Sequence, residues 1–314
     1  MKKYFKTIDE QIEILKNRGL HIEDENHAKE ILLHYNYYKI VNGTNMFFNQ
    51  EKDPYKFRDG ITFKDLEALH EFDKEVKKLL LNAVLDAERH IRSVISYVFM
   101  MHHPEGDSYL NSKNFNDDKS LVDANIYSLE GTIRNFEQEM NYKKSMSYYK
   151  DKYSHVPFWF LINFVSFGRL VNIYQTLKEK EAYEVANEFT KFLVNNLPEA
   201  EGYYLTPKQF ESVIENVKEI RNICAHDNLI LDYKCERGIQ NIAPLHKAFD
   251  VGLNHKKDDV FNVIIAMQIF LYKEEYSQLE QGLKERIGIL KKELDDQAFK
   301  KVMTHMGFPL KENE

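Results

Sequence analysis

The 314-residue sequence predicts an all-α protein. Glycine and proline are scarce, at 12 and 7. Long stretches space their apolar residues by three and four rather than in alternation, and the breaks fall at helix-stopping residues such as Arg18-Gly19 and Pro104-Glu105-Gly106. Thr7 or Asp9 starts a first helix that runs to Lys16. A second covers about 26–35, and residues 40–62 read as irregular or weakly extended. The dominant helix runs from Phe63 to about Met101, with Leu66, Leu69, Phe72, Val76, Leu80 and Val84 on its apolar face.

Asp, Asn and Ser make residues 105–127 a mobile loop. Helices follow at 123–141, 156–180 (opened by Pro157), 182–195 and 207–226. Residues 260–272 are apolar nearly all round and read as a buried helix. Leu279, Leu283, Ile287, Leu290 and Leu294 mark a last amphipathic helix. The expected organisation is an N-terminal extension (1–62), a central helical domain (63–235) and C-terminal helices (236–314) packed on the same core.

Hydrophobic residues make up 43% and charged residues 30%, an ordinary globular balance. A net charge of −7 argues against non-specific coating of nucleic acid, yet permits RNA in a local basic groove. Two cysteines, Cys224 and Cys235, and the lack of an apolar leader point to a reducing, cytoplasmic setting. Cys224 reads as a small core residue. The longest apolar run, 260–272, is too short to span a bilayer, so no membrane anchor is expected. No Gly-rich phosphate loop or paired-histidine zinc helix occurs. His102 and His103 diverge on a helix, and Pro104 and Gly106 separate His103 from Asp107, so neither metal nor cofactor is expected.

The chemistry concentrates in one stretch, Glu219-Ile220-Arg221-Asn222-Ile223-Cys224-Ala225-His226-Asp227-Asn228. Phe210, Val213, Ile214, Val217, Ile220 and Cys224 turn one face of its helix to a core. Asn222 and His226, four apart, share another face, and Arg221 is long enough to reach the same spot. Arginine grips phosphate in a planar fork and histidine moves a proton near neutrality. Together they suit attack of a ribose hydroxyl on its own phosphate. An Arg–His pair at this spacing also arises by chance as surface charge.

The Arg221-Asn222-x-x-x-His226 pattern resembles the catalytic signature of HEPN ribonucleases. Residues 6–20 resemble the opening of the AbiD/AbiF-type abortive-infection (Abi-like) proteins. So do Asn36-Tyr37-Tyr38-Lys39 with Phe47-Phe48, and Phe57-Arg58-Asp59-Gly60-Ile61-Thr62-Phe63. Glu71-Phe72-Asp73-Lys74-Glu75 and Glu88-Arg89-His90-Ile91-Arg92-Ser93 resemble the family's long helix, and Pro157-Phe158-Trp159 and Ser166-Phe167-Gly168 complete the set. The stretch 41–45 departs from the family's more aromatic pattern, and the C-terminal third carries no such motif.

The resemblance implies a helical HEPN-like bundle and a metal-independent endoribonuclease, a toxin-like effector of anti-phage defence. His226 would act as general base or acid, Arg221 would stabilise transition-state charge and Asn222 would orient the phosphate, leaving a 2′,3′-cyclic phosphate and a 5′-hydroxyl. Of nine arginines, only Arg221 has a histidine five to seven positions later. HEPN sites generally pair two motifs, so the resemblance implies a homodimer. It also leaves room for a restraining antitoxin, a small RNA or a protein.

Arg89 and Arg92 are candidate phosphate contacts, although Glu88 and Arg92 are also spaced for a helical ion pair. Lys143 and Lys144 open a stretch to Lys152 with four lysines against one aspartate, interleaved with tyrosines. That composition suits single-stranded RNA, and equally a solvated hairpin. The other classes open to the sequence are a non-catalytic RNA-binding protein regulated by a small structured RNA, and a protein-binding helical scaffold.

Overall fold

The computed structural model describes residues 4–138, 148–149 and 151–309. Among them the regular elements are helices, and strands are replaced by isolated bridges such as His21 with Thr62. Helix α1 (Ile8–Asn17) starts at Thr7, whose hydroxyl accepts from the Glu10 amide at 3.3 Å while its own amide donates to the Glu10 carboxylate at 2.9 Å. Gly19, at φ 89°, ends the turn beyond it. Helix α2 (Glu25–Tyr35) is capped by Asp24. Residues 38–47 then form a short π-helical turn and a 3₁₀ turn rather than extended chain.

Helix α3 (Phe63–His102), about 60 Å long, is the spine. The segment before it explains its own composition. Phe57 and Ile61 are buried, Gly60 takes φ +86°, and the amide and hydroxyl of Thr62 both donate to Asp65 at 2.7 Å. Arg58 reaches across the molecule to Asp295 and Gln297, each at 2.8 Å.

Residues 105–118 are not the loose loop their polarity suggests. Tyr109 and Phe115 are buried, the Tyr109 hydroxyl donates to the Val156 carbonyl at 2.8 Å, and Phe115 stacks 5.2 Å from Phe99. Helix α4 (Lys119–Gln138) begins earlier than expected, with Asp118 accepting from the Leu121 amide.

The expected 156–180 helix is broken. A single turn, α5 (Phe158–Leu161), is followed by a 3₁₀ turn and by α6 (Phe167–Thr176), because Val165 and Ser166 are extended and the Ser166 hydroxyl caps α6. At the far end of α6 the side-chain amides of Asn116 and Asn125 donate to the Gln175 and Asn172 carbonyls, at 2.8 and 2.9 Å. Helices α7 (Glu179–Asn196) and α8 (Pro207–Ala225) complete the wall against α3.

Beyond α8 come α9 (Ala243–Ala248) and α10 (Val260–Ala266), the latter wholly buried as its composition predicts but giving way to a 3₁₀ turn at Met267–Ile269, short of the expected end at 272. Helix α11 (Lys273–Glu293) packs along α3 and is not the last helix. Leu294 breaks it, Asp295 caps α12 (Asp296–Met306), and Gly307 closes α12 at φ +88°. The buried side chains of all these elements form one contiguous core. No helix among the described residues is long and apolar enough to cross a membrane.

Candidate functional site

Helix α8 is fixed before its C-terminal end is reached. Thr206 and Gln209 form its capping box, Pro207 occupies the first turn, and Phe210, Val213, Ile214, Val217 and Ile220 are fully buried. Cys224 lies on the same stripe, and burial pushes its thiol up to about 12, so it serves as core. The opposite side emerges to solvent. Asn222 and His226 are exposed and Arg221 is half-buried.

His226 is the C-cap, its amide donating to the Asn222 carbonyl at 3.0 Å. Asp227 follows in the left-handed region at φ 52°. Its amide donates to the Cys224 carbonyl and that of Asn228 to the Ile223 carbonyl, the paired bonds of a Schellman ending. Glycine usually occupies the Asp227 position, because a side chain there costs about 1–2 kcal/mol.

What holds Asp227 there is charge. Its carboxylate pairs with Lys77 of α3 and, at 3.3 Å, with Lys39, whose ammonium also donates to the Asp227 carbonyl. Lys77 is in turn paired with Asp73 at 2.7 Å, and Asp73 accepts the Ile230 amide at 2.9 Å. Lys77 and Asp73 are only 6% and 2% exposed. Burial alone would raise the Asp227 carboxyl, but the hydrogen bond and charge of Lys77, with Lys39 beside it, hold it below its ordinary value. Burial likewise opposes the Lys77 charge, and the two aspartates outweigh it and raise that pKa.

Two of the quoted sequence motifs thus converge on the end of α8. Lys39 comes from Asn36-Tyr37-Tyr38-Lys39, turned by Asn36 at φ 68°, and Asp73 comes from Glu71-Phe72-Asp73-Lys74-Glu75. His70, one turn before Asp73, adds a ring whose Nε2 is buried without a partner and whose pKa burial lowers. Its ring meets Tyr35 edge-on at 5.1 Å.

Arg221 differs from its neighbours. Among the described residues its guanidinium makes no ion pair, and its Nε is buried without a hydrogen-bond partner. An arginine in that state keeps its planar fork of donors free to pair with an anion. The helix macrodipole does not help, since a helix C-terminus is its negative end, so an anion here depends on Arg221 and nearby cations.

The profile of the Abi-like protein family matches residues 30–232. The chain belongs to the Abi-like family. The match runs from the middle of α2 through α8, including Lys39, Asp73, Lys77 and the whole Arg221–His226 stretch. The opening resemblance at 6–20 lies outside it. No curated protein and no solved structure matches the chain.

Two other expected residues of this Abi-like chain, Arg89 and Arg92, lie apart from that cluster. Arg89 is exposed and pairs with Asp86; Arg92 pairs with Glu88 and donates to the Ile162 carbonyl. Arg92 is fifteen residues from Lys77 on one straight element, about 22 Å along its axis. Lys143 and Lys144 lie outside the described residues. His102 and His103 do not diverge as expected: both turn to α7, pairing with Glu184 at 2.6 Å and Glu181 at 2.7 Å with their rings 6.5 Å apart, and no group of side chains that could hold a metal occurs among the described residues.

Sequence reasoning quoted Lys39, Asp73 and Asp227 within its motifs but gave them no role, and did not single out His70 or Lys77. One signal was available. Asp73 and Lys77, four apart, interrupt the apolar stripe of Leu66, Leu69, Val76 and Leu80, and a charge pair on such a stripe must be satisfied inside the fold.

Proposed function

We infer that this Abi-like protein is a metal-independent endoribonuclease and, as its family membership supports, a toxin-like effector of abortive infection. The carrying observation is the half-buried, unpaired Arg221 beside exposed Asn222 and His226, on a helix end that Lys39, Lys77 and Asp73 hold still. Arg221 binds the scissile phosphate and gains most as charge builds on the phosphorane-like transition state. Asn222 orients the phosphate by hydrogen bonds. His226 either takes the proton of the ribose 2′-hydroxyl or protonates the departing 5′-oxygen. One such cluster supplies one proton-transfer group, so the active form is a homodimer whose second His226 takes the other role.

The test is incubation of purified protein, and of its His226→Ala form, with total RNA, followed by mapping of the ends. Cleavage leaving 2′,3′-cyclic phosphate and 5′-hydroxyl ends, absent from the variant, is expected. Binding of RNA without any His226-dependent ends would leave a non-catalytic RNA-binding protein instead.

A further inference from the structure

Far from the Arg221 cluster, the surface carries a run of aromatic rings. Tyr149 lies at its centre, 5.6 Å from Trp159 and perpendicular to it, 4.7 Å from Phe160, and offset-stacked on Tyr153 at 6.1 Å. Tyr148 continues the run 5.5 Å from Tyr149. Its outer members are open: Tyr148, Tyr153 and Trp159 are 51%, 47% and 49% exposed. Lys152 sits over two of them, its ammonium 5.1 Å from the Tyr148 ring centre and 5.3 Å from that of Tyr153, and it donates to the Tyr148 hydroxyl at 2.8 Å.

The run is anchored in the core at its Trp159 end. Phe158, beside Trp159, is fully buried and packs 5.1 Å from Phe99 of α3 and 5.3 Å from Tyr109. Phe99 is twenty-two residues beyond Lys77, so the rings lie about 33 Å along the helix axis from the Asp227 network. Folding alone gives no reason to leave three large rings half in water, two of them against a cation.

We propose that this aromatic run is a binding platform for single-stranded RNA, on which bases stack while Lys152 meets the backbone. It rests on the nuclease reading and names the substrate class. Two features favour RNA over an apolar protein partner. Lys152 closes a stretch, 143–152, with four lysines against one aspartate, in a chain whose net charge is −7. The exposed rings are two tyrosines and a tryptophan, flat faces with polar handles, and such rings accept any base. A duplex hides its base faces in its own stack, so the platform discriminates against it.

Trp159 is the only tryptophan of the chain and reports directly. The full-length His226→Ala protein, which binds without cutting, is titrated with a short unstructured oligouridylate and, separately, with a duplex of equal length. Saturable quenching of Trp159 by the single strand and none by the duplex is expected. Tyr148→Ala and Tyr153→Ala should each weaken binding by roughly 5- to 150-fold, read by polarisation of labelled RNA. Lys152→Gln should lower the slope of log affinity against log salt by about 0.7. These positions are exposed, and unchanged thermal melts confirm folding.

If the quench is absent while wild-type protein cleaves RNA, the platform is refuted and the nuclease reading survives. If the quench appears but the wild-type chain cuts nothing, the platform stands alone. Variants that alter sedimentation of the free protein and leave RNA affinity unchanged make the rings a protein interface and overturn the proposal.

Discussion

Asp227 and Lys77 lock the end of the α8 motif to the long helix. Asp227 accepts a left-handed backbone at φ 52° immediately after His226, and Lys77, buried and already paired with Asp73 at 2.7 Å, supplies the compensating charge. Strained residues persist where their surroundings over-determine them. Removing the cation leaves Asp73, 2% exposed, as an uncompensated buried charge. Lys77→Ala should therefore cost about 3–5 kcal/mol in urea unfolding. Pairing Lys77→Met with Asp73→Asn should recover part of that loss, since the carboxamide introduced at position 73 carries no charge and keeps an acceptor for the Ile230 amide. A double variant no more stable than Lys77→Ala contradicts the arrangement.

The same pair has a defined pH window. A carboxyl lowered on folding stabilises above its ordinary value, 3.8 for Asp227, and that contribution fades as pH falls through the lower folded value. An ammonium raised on folding stabilises below its ordinary value, 10.5 for Lys77, and loses its contribution as pH rises through the folded one. Between these limits the contribution is constant. The Asp227 side chain is largely exposed, so the stability gap between wild type and Asp227→Asn should be about 0.2–1 kcal/mol. Thermal melts should show that gap flat from mildly acidic to mildly alkaline pH and closing in strong acid. A gap that changes across neutrality would assign the linkage to another group.

That flat window gives the rate profile its meaning. If one His226 is base and its symmetry mate acid, cleavage should be bell-shaped around neutrality. The profile then reports proton transfer rather than melting of the support. A rate that climbs steadily into alkali removes His226 from the acid role.

His226→Ala and Arg221→Ala should each remove most activity, with the double variant little worse, since the two act as one unit. Loss of general acid–base catalysis alone is worth ~10²–10⁴-fold. Activity should survive EDTA. Unchanged cleavage by His226→Ala, or strict dependence on a divalent ion, points to different chemistry.

Much of the fold was readable because helix ends announce themselves locally. The start expected at Thr7 or Asp9 falls at Thr7 with Glu10, and Thr206 with Gln209 opens the helix expected from 207. Sequence failed where a side chain far away decides the break. Asn116 and Asn125 stabilise the end of α6 from some fifty residues upstream, and Tyr109 turns a polar segment into core through Val156. The site divides in the same way. The Arg221–His226 spacing is local and visible, whereas Lys39 lies 188 residues from its partner Asp227, a distance no periodicity reports. Arg58 at the start of α3 and Asp295 at the start of α12 are tied by the same kind of long-range contact.

The composite site leads to the last prediction. Cleavage needs a base on one side of phosphorus and an acid on the other, and the Arg221 cluster supplies one proton-transfer group. The Asp227 network adds His70 as a second histidine of the same chain, yet its free Nε2 is buried and burial favours its neutral form. Two chains facing across a two-fold axis supply both groups and double the arginines at the phosphate, which offsets the negative helix ends brought together there. Three results follow. The protein should sediment as a dimer at concentrations where it cuts RNA. His70→Gln should leave the cleavage rate within a few-fold of wild type while Tyr35 keeps its packing. Mixing an excess of His226→Ala chains into wild type should depress activity more than dilution does, because inactive partners capture active ones. A monomer that cleaves at full rate and loses that rate in His70→Gln would replace the two-fold site with one built inside a single chain.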